Sequence, residues 1–143
     1  MLKIRLCVFL FATLATTNAI ATCPLLDLVV YQGKNYPLAG YTKPPRNRKI
    51  EEWVSTLPSC SAPGQGRAVY EIDGKNIFLV KFRSCSSELS VTDAYGTVGL
   101  KIPAEWLDGK FDVALGSCHG GWDRAKESFI VKEGALVEFL KTP

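Results

Sequence analysis

The chain predicts a mainly β, α+β domain with one amphipathic helix and two disulfides, and three observations carry that reading. Short runs of branched and aromatic residues are punctuated by glycine turns at Gly33, Gly74, Gly109 and Gly134, the rhythm of hairpins rather than of helices. One stretch alone has the 3.6-residue apolar period of a helix laid on a core. Four cysteines, Cys23, Cys60, Cys85 and Cys118, follow an export leader, and an even number of thiols in an oxidising compartment reads as disulfides. The expected architecture is an antiparallel meander, arranged as a sandwich or a small, partly open barrel.

The leader covers residues 1–21. Lys3 and Arg5 supply a positive start, an apolar run follows over residues 6–15, and Ala19 and Ala21 form a small-x-small cleavage pattern before Thr22. The apolar run falls short of the ~20 residues that a spanning helix needs. Cleavage after Ala21 leaves residues 22–143 as a single β-rich domain, secreted or periplasmic, and discards Cys7. Lipid anchoring at Cys23 is disfavoured, because Thr22 stands where lipoprotein processing favours Gly, Ala or Ser. The leader carries two of the 17 basic residues and none of the 14 acidic ones, so the rest of the chain holds 15 against 14, a net charge of +1. That balance gives nucleic-acid binding no support, and no later segment is apolar for long enough to span a membrane.

Residues 26–31 are a branched run that ends at Gln32-Gly33-Lys34, and the extended pattern resumes at residues 35–38, a first hairpin. Residues 40–47 hold Lys43, Pro44, Pro45 and Arg46, and consecutive prolines favour an extended, exposed connection. Ile50, Trp53, Val54 and Leu57 then fall on one helical stripe, so the helix covers about residues 48–57, Arg48 to Leu57, with Asn47 as N-cap and Pro58 as its stop. Residues 67–72 and 76–82 flank Asp73-Gly74, the strongest short hairpin signal in the chain. Phe78, Val80 and Phe82 alternate with Ile77 and Leu79, so this strand is apolar on both faces and belongs in the centre of the sheet. Shorter strands are expected at residues 89–91 and 98–102, a helical turn at 103–107, strands at 110–115 and 128–131, and a last strand at 135–140 after Lys132-Glu133-Gly134.

Three pieces of this pattern, residues 31–38 (Tyr31-Gln32-Gly33-Lys34-Asn35-Tyr36-Pro37-Leu38), the Val69-Tyr70-Glu71-Ile72 strand and the Pro103-Ala104-Glu105-Trp106-Leu107-Asp108-Gly109-Lys110 turn, resemble those of a group of small, functionally uncharacterised bacterial proteins of mostly β-structure. The resemblance implies the β-rich fold and brings no activity or cofactor with it. The four cysteines and the leader depart from that group. The lack of an Asn-x-Ser/Thr acceptor after the leader fits a bacterial source.

Chemistry has few places to reside. The sole histidine, His119, sits in the glycine-rich run Gly116-Ser117-Cys118-His119-Gly120-Gly121-Trp122 and is the catalytic candidate if the chain is an enzyme. The competing reading is a loop histidine beside a disulfide, and an oxidised Cys118 is no nucleophile. Asp93, Asp108, Asp112 and Asp123 have no spacing that demands acid–base pairing. No Cys-x-x-Cys spacing, nucleotide loop or calcium loop occurs, so no metal or cofactor is expected. Four cysteines permit three pairings; Cys85 with Cys118 and Cys23 with Cys60 is the pairing expected here, since Cys85 and Cys118 both end strands.

The pattern fits a binding role better than a catalytic one. Lys43, Arg46, Arg48 and Lys49 are the one local charge cluster. A proline-stiffened loop costs little entropy to order on binding, and Tyr and Trp dominate binding hot spots. Tyr41, Lys43, Arg46, Tyr95 and Trp122 are therefore the candidate partner-binding residues, while Trp53 and Trp106 sit in core contexts. The expectation is an exported, non-enzymatic binding protein with a protein partner, such as an immunity or inhibitor protein that caps a toxin or a cell-wall-degrading enzyme. The alternatives are a small secreted hydrolase or toxin that uses His119, or an assembly accessory of the envelope.

Overall fold

A computed structural model describes residues 25–58, 66–115 and 123–141. Residues 1–21, expected to be an export leader, and Cys23, Cys60, Cys118, His119 and Trp122 lie outside the described residues. Within them the chain forms β1 (Leu28–Tyr31), β2 (Lys34–Pro37), α1 (Arg48–Thr56), β3 (Arg67–Asp73), β4 (Asn76–Arg83), β5 (Glu88–Ser90), α2 (Val91–Tyr95), β6 (Ile102–Pro103), β7 (Gly109–Leu115), β8 (Asp123–Lys132) and β9 (Ala135–Lys141). The nine strands make one open, mixed sheet in the order β2-β1-β3-β4-β9-β8-β7, with β5 and β6 also laid on β4. An isolated bridge between Leu38 and Val113 links the segment after β2 to β7 at the far end of that order.

The expectation of a wholly antiparallel meander is corrected at one place: β1 and β3 pair in parallel, with Leu28 opposite Val69 and Val30 opposite Glu71. Parallel neighbours need a long crossover, and β2, the proline loop and α1 together supply it. The other pairings among named strands are antiparallel. A second correction concerns residues 89–95. The strand expected over residues 89–91 forms as β5, but Val91 leaves it: Ser90 accepts from the Asp93 amide and Gly96 closes the far end with φ 69°, so a short helix forms over Val91–Tyr95. The expected strand at 98–102 shrinks to Ile102–Pro103, and residues 103–107 make a single turn closed by the Leu107 amide on the Ala104 carbonyl at 2.9 Å.

β4 lies in the middle of the sheet as its sequence suggests, but its faces are sorted differently. Val69 pairs with Lys81 and the next residue, Tyr70, with Leu79, so Val80 is the extra residue of a β-bulge. The bulge shifts the parity by one. Phe82 therefore joins Ile77 and Leu79 in the core, each 2% exposed or less, while Phe78 and Val80 lie half-buried on the other face.

α1 packs as the apolar stripe demands. Ile50 is fully buried, Trp53 and Val54 lean on the core, and the Asn47 side chain accepts from the Ile50 amide at 3.0 Å as N-cap. Tyr31 and Tyr36 of the first hairpin meet Phe129 and Phe139 of the last edge-on, at 5.3–5.9 Å between ring centroids, and those two phenylalanines stack at 4.6 Å. Each such aromatic pair adds ~0.5–1.5 kcal/mol beyond its burial. Cys85 is disulfide-bonded, and the described residues contain no complete disulfide. No described helix is long and apolar enough to cross a membrane.

The β8–β9 turn fixes one further contact. Glu133 and Gly134 both have positive φ, 48° and 73°, and a Cβ on Gly134 would stand 2.7 Å from the Ala104 carbonyl oxygen. At Gly74, φ is 63° but the surroundings are open. Replacing either glycine by alanine imposes the left-handed penalty of ~1–2 kcal/mol; only Gly134→Ala also forces backbone apart, at ~1–3 kcal/mol more. Equilibrium unfolding of the two variants is expected to show Gly134→Ala as clearly the less stable.

Candidate functional site

The charged proline loop of residues 40–47 is pinned at four successive places. The Thr42 amide and hydroxyl both donate to Asp27 Oδ2, at 2.8 and 2.7 Å. The Tyr95 hydroxyl donates to the Pro45 carbonyl. Arg46 Nη2 donates to the Gly66 carbonyl at 3.2 Å and Arg46 Nη1 lies 3.4 Å from Glu51. Asn47 Nδ2 donates to the Ala94 carbonyl at 2.7 Å, while its oxygen caps α1. A loop that composition alone marks as an exposed connection is thus held at both walls of the fold.

Asp27 is the hub of this arrangement. It is 3% exposed, and its other oxygen accepts the Ala68 amide at 3.0 Å. Three donors satisfy a carboxylate that would otherwise be expensive to bury. Thr42 commits its only hydroxyl hydrogen to Asp27, so the Tyr70 hydroxyl, 2.7 Å away, must donate to Thr42 Oγ1. Tyr70 is fully buried, and the Trp106 ring lies beside it at 6.5 Å. The buried Trp106 Nε1 has no hydrogen-bond partner among the described residues. Two arginines hold the backbone just ahead of β1: Arg67 Nε donates to the Leu25 carbonyl at 2.9 Å and Arg83 Nη2 to the Leu26 carbonyl at 3.0 Å.

Between this hub and the loop lies a pocket of about 270 Å³, walled by Asp27, Tyr41, Lys43, Pro44, Arg46 and Arg67, with Gly66 and Ala68 completing it. Tyr41 is 54% exposed, and the guanidinium of buried Arg67 sits 4.0 Å from its ring centroid, a cation–π contact that fixes the ring. A second depression, between Leu38–Tyr41 and Lys110–Asp112, lies on the other side of Tyr41. Lys43 has φ 47°, the left-handed region, although it precedes a proline that disfavours departures from extended backbone. Such strain persists only where the surroundings over-determine it, and Thr42 and Pro45 are the anchors on either side.

Of the residues singled out in the sequence, Tyr41, Lys43 and Arg46 come together at this pocket. Tyr95 does not project as an exposed anchor: it is half-buried, and its hydroxyl supports the loop from beneath. Trp53 and Trp106 are half-buried against the core. Three of the four carboxylates have structural partners: Asp93 accepts from Ser90 within α2's cap, Asp108 from the Glu133 amide, and Asp112 from Ser128 at 2.7 Å; the side chain of Asp123 lies outside those described. Among the described residues no His, Cys, Asp and Glu cluster is placed to hold a metal. Sequence reasoning missed Asp27 and Arg67. The signal for Asp27 is a carboxylate at the mouth of an apolar strand, and for Arg67 a cation opening a strand that is otherwise almost entirely buried.

Comparison with protein-family models, with curated proteins and with solved structures returns no match.

Burial pushes the Tyr70 phenol far above its usual range, and burial also raises Tyr95, against a smaller opposing pull from Arg46. A raised folded-state value means that the contribution is complete below the unfolded value of about 10 and is lost as pH climbs past it. Stability is therefore expected to fall from about pH 10 upward, and Tyr70→Phe to flatten part of that fall while costing ~1 kcal/mol at neutral pH. Denaturant titrations across pH check both.

Proposed function

We propose that this chain is an exported, non-enzymatic binding protein that docks an acidic surface of a protein partner against the loop bearing Tyr41, Lys43 and Arg46. An immunity or inhibitor protein, one that caps a toxin or a cell-wall-degrading enzyme, is the reading we favour. The observation that carries it is the convergence of those three residues, with buried Arg67, on one pocket. The loop is already ordered by Asp27, Tyr95 and Gly66, so binding need not supply the entropy of fixing it. Tyrosine and arginine are both enriched at binding hot spots, and here an exposed tyrosine is held by a guanidinium. We read the sheet as a small, partly open barrel, supported by the Leu38–Val113 bridge, with the docking loop leaving its rim. Two disulfides and a periplasmic or secreted location complete the reading, supported by the bonded state of Cys85 and by the leader.

The test is affinity capture with residues 22–143 against the secreted and periplasmic proteins of the source. A stoichiometric protein partner is expected, with binding weakened by ~2 kcal/mol in Tyr41→Ala and made less favourable by Lys43→Glu. A partner whose affinity neither substitution changes would overturn the assignment of this face.

A further inference from the structure

Resting on that docking reading, we infer that the pocket beneath Tyr41 is a receptor for one carboxylate, the side chain of a glutamate or aspartate presented by the protein partner. Size is the first argument. At about 270 Å³ the pocket lies at or below the small end of sites for free small molecules, roughly 300–1,000 Å³, and suits a single side chain.

Charge is the second. Lys43, Arg46 and Arg67 stand in the walls with Asp27 as the one acidic residue that lines the pocket, and Arg46 is shared with exposed Glu51. Cationic side chains outnumber anionic ones in this lining, the balance that suits a carboxylate. Asp27 does not make the pocket a cation site, because three donors from Thr42 and Ala68 already occupy its oxygens. Arg46 uses Nη1 and Nη2 once each, which orients the fork while leaving further N–H groups for the planar, two-point contact that carboxylates make with guanidinium.

The remaining walls supply the third argument. Tyr41, Pro44 and Ala68 give apolar surface against which the methylene stem of a glutamate can lie, whereas a free inorganic anion has no atoms to place there.

The experiment is a titration of isotope-labelled protein, followed by NMR at the Arg46 and Arg67 side-chain N–H groups and the Tyr41 ring, with two probes: acetyl-Gly-Glu-Gly-amide and its Gln isostere. Saturable shifts at these positions are expected with the glutamyl peptide, with affinity about tenfold or more above that for the glutaminyl one, as loss of a charge-assisted hydrogen bond implies. Lys43→Met and Arg46→Met should each remove the response while leaving the spectrum of the core unchanged. Equal binding of the two peptides, tighter binding of inorganic phosphate, or shifts confined to other residues would overturn the inference. If the peptides leave the pocket unmoved while a captured partner still depends on Tyr41, the carboxylate assignment fails and the docking reading stands; if a partner binds without Tyr41, the docking reading itself fails.

Discussion

The buried carboxylate of Asp27 is the constraint on which the rest of the molecule depends. Ionised oxygen in a protein interior costs several kcal/mol unless donors meet it, and here the donors come from places far apart in sequence: Thr42 on the proline loop and Ala68 on β3. The Ala68 contact falls one residue ahead of the Leu28–Val69 pair, so the side chain extends the parallel ladder where backbone pairing has not yet begun. It thereby sets the register of the only parallel pair among the named strands. Arg67 and Arg83 take the carbonyls of Leu25 and Leu26, and the segment entering β1 is held from three directions.

From that hub the consequences run outward to the surface. Thr42 cannot leave Asp27 without also stranding the Tyr70 hydroxyl in the core. Fixing Thr42 confines Tyr41 on one side and strained Lys43 on the other. α2, through Tyr95 and the Ala94 carbonyl, fixes the far end of the loop. The pocket is thus a product of core chemistry. Its outer wall is a surface loop, but the atoms that hold that wall in place are buried ones.

Much of the fold was legible because it follows from local patterns. The α1 stripe, its Asn47 cap, the central place of β4 and the last hairpin all arise from contacts near in sequence. The parallel β1–β3 pair was not, because nothing in either strand records which neighbour it will find after a crossover. The parity of β4 was hidden too: alternation assigns Phe82 to the face of Phe78, and only the bulge at Val80, a property of pairing with β3, moves it. α2 went unread: the strand expected over residues 89–91 forms as β5 but gives up Val91, because Ser90 caps a short helix that Gly96 closes. Of the site, the composition of the loop pointed to Tyr41, Lys43 and Arg46. Asp27 and Arg67 escaped notice because an isolated charge at a strand entrance looks solvated until its long-range partners are known.

The most direct test of this account is amide hydrogen exchange in Asp27→Ala compared with the unaltered protein. Removal of the hub should release the Thr42 and Ala68 amides and speed exchange through the loop as far as Asn47, while the amides of β8 and β9 remain protected. Unchanged protection at Thr42 and Ala68 would contradict the claim that Asp27 organises both the parallel pair and the pocket.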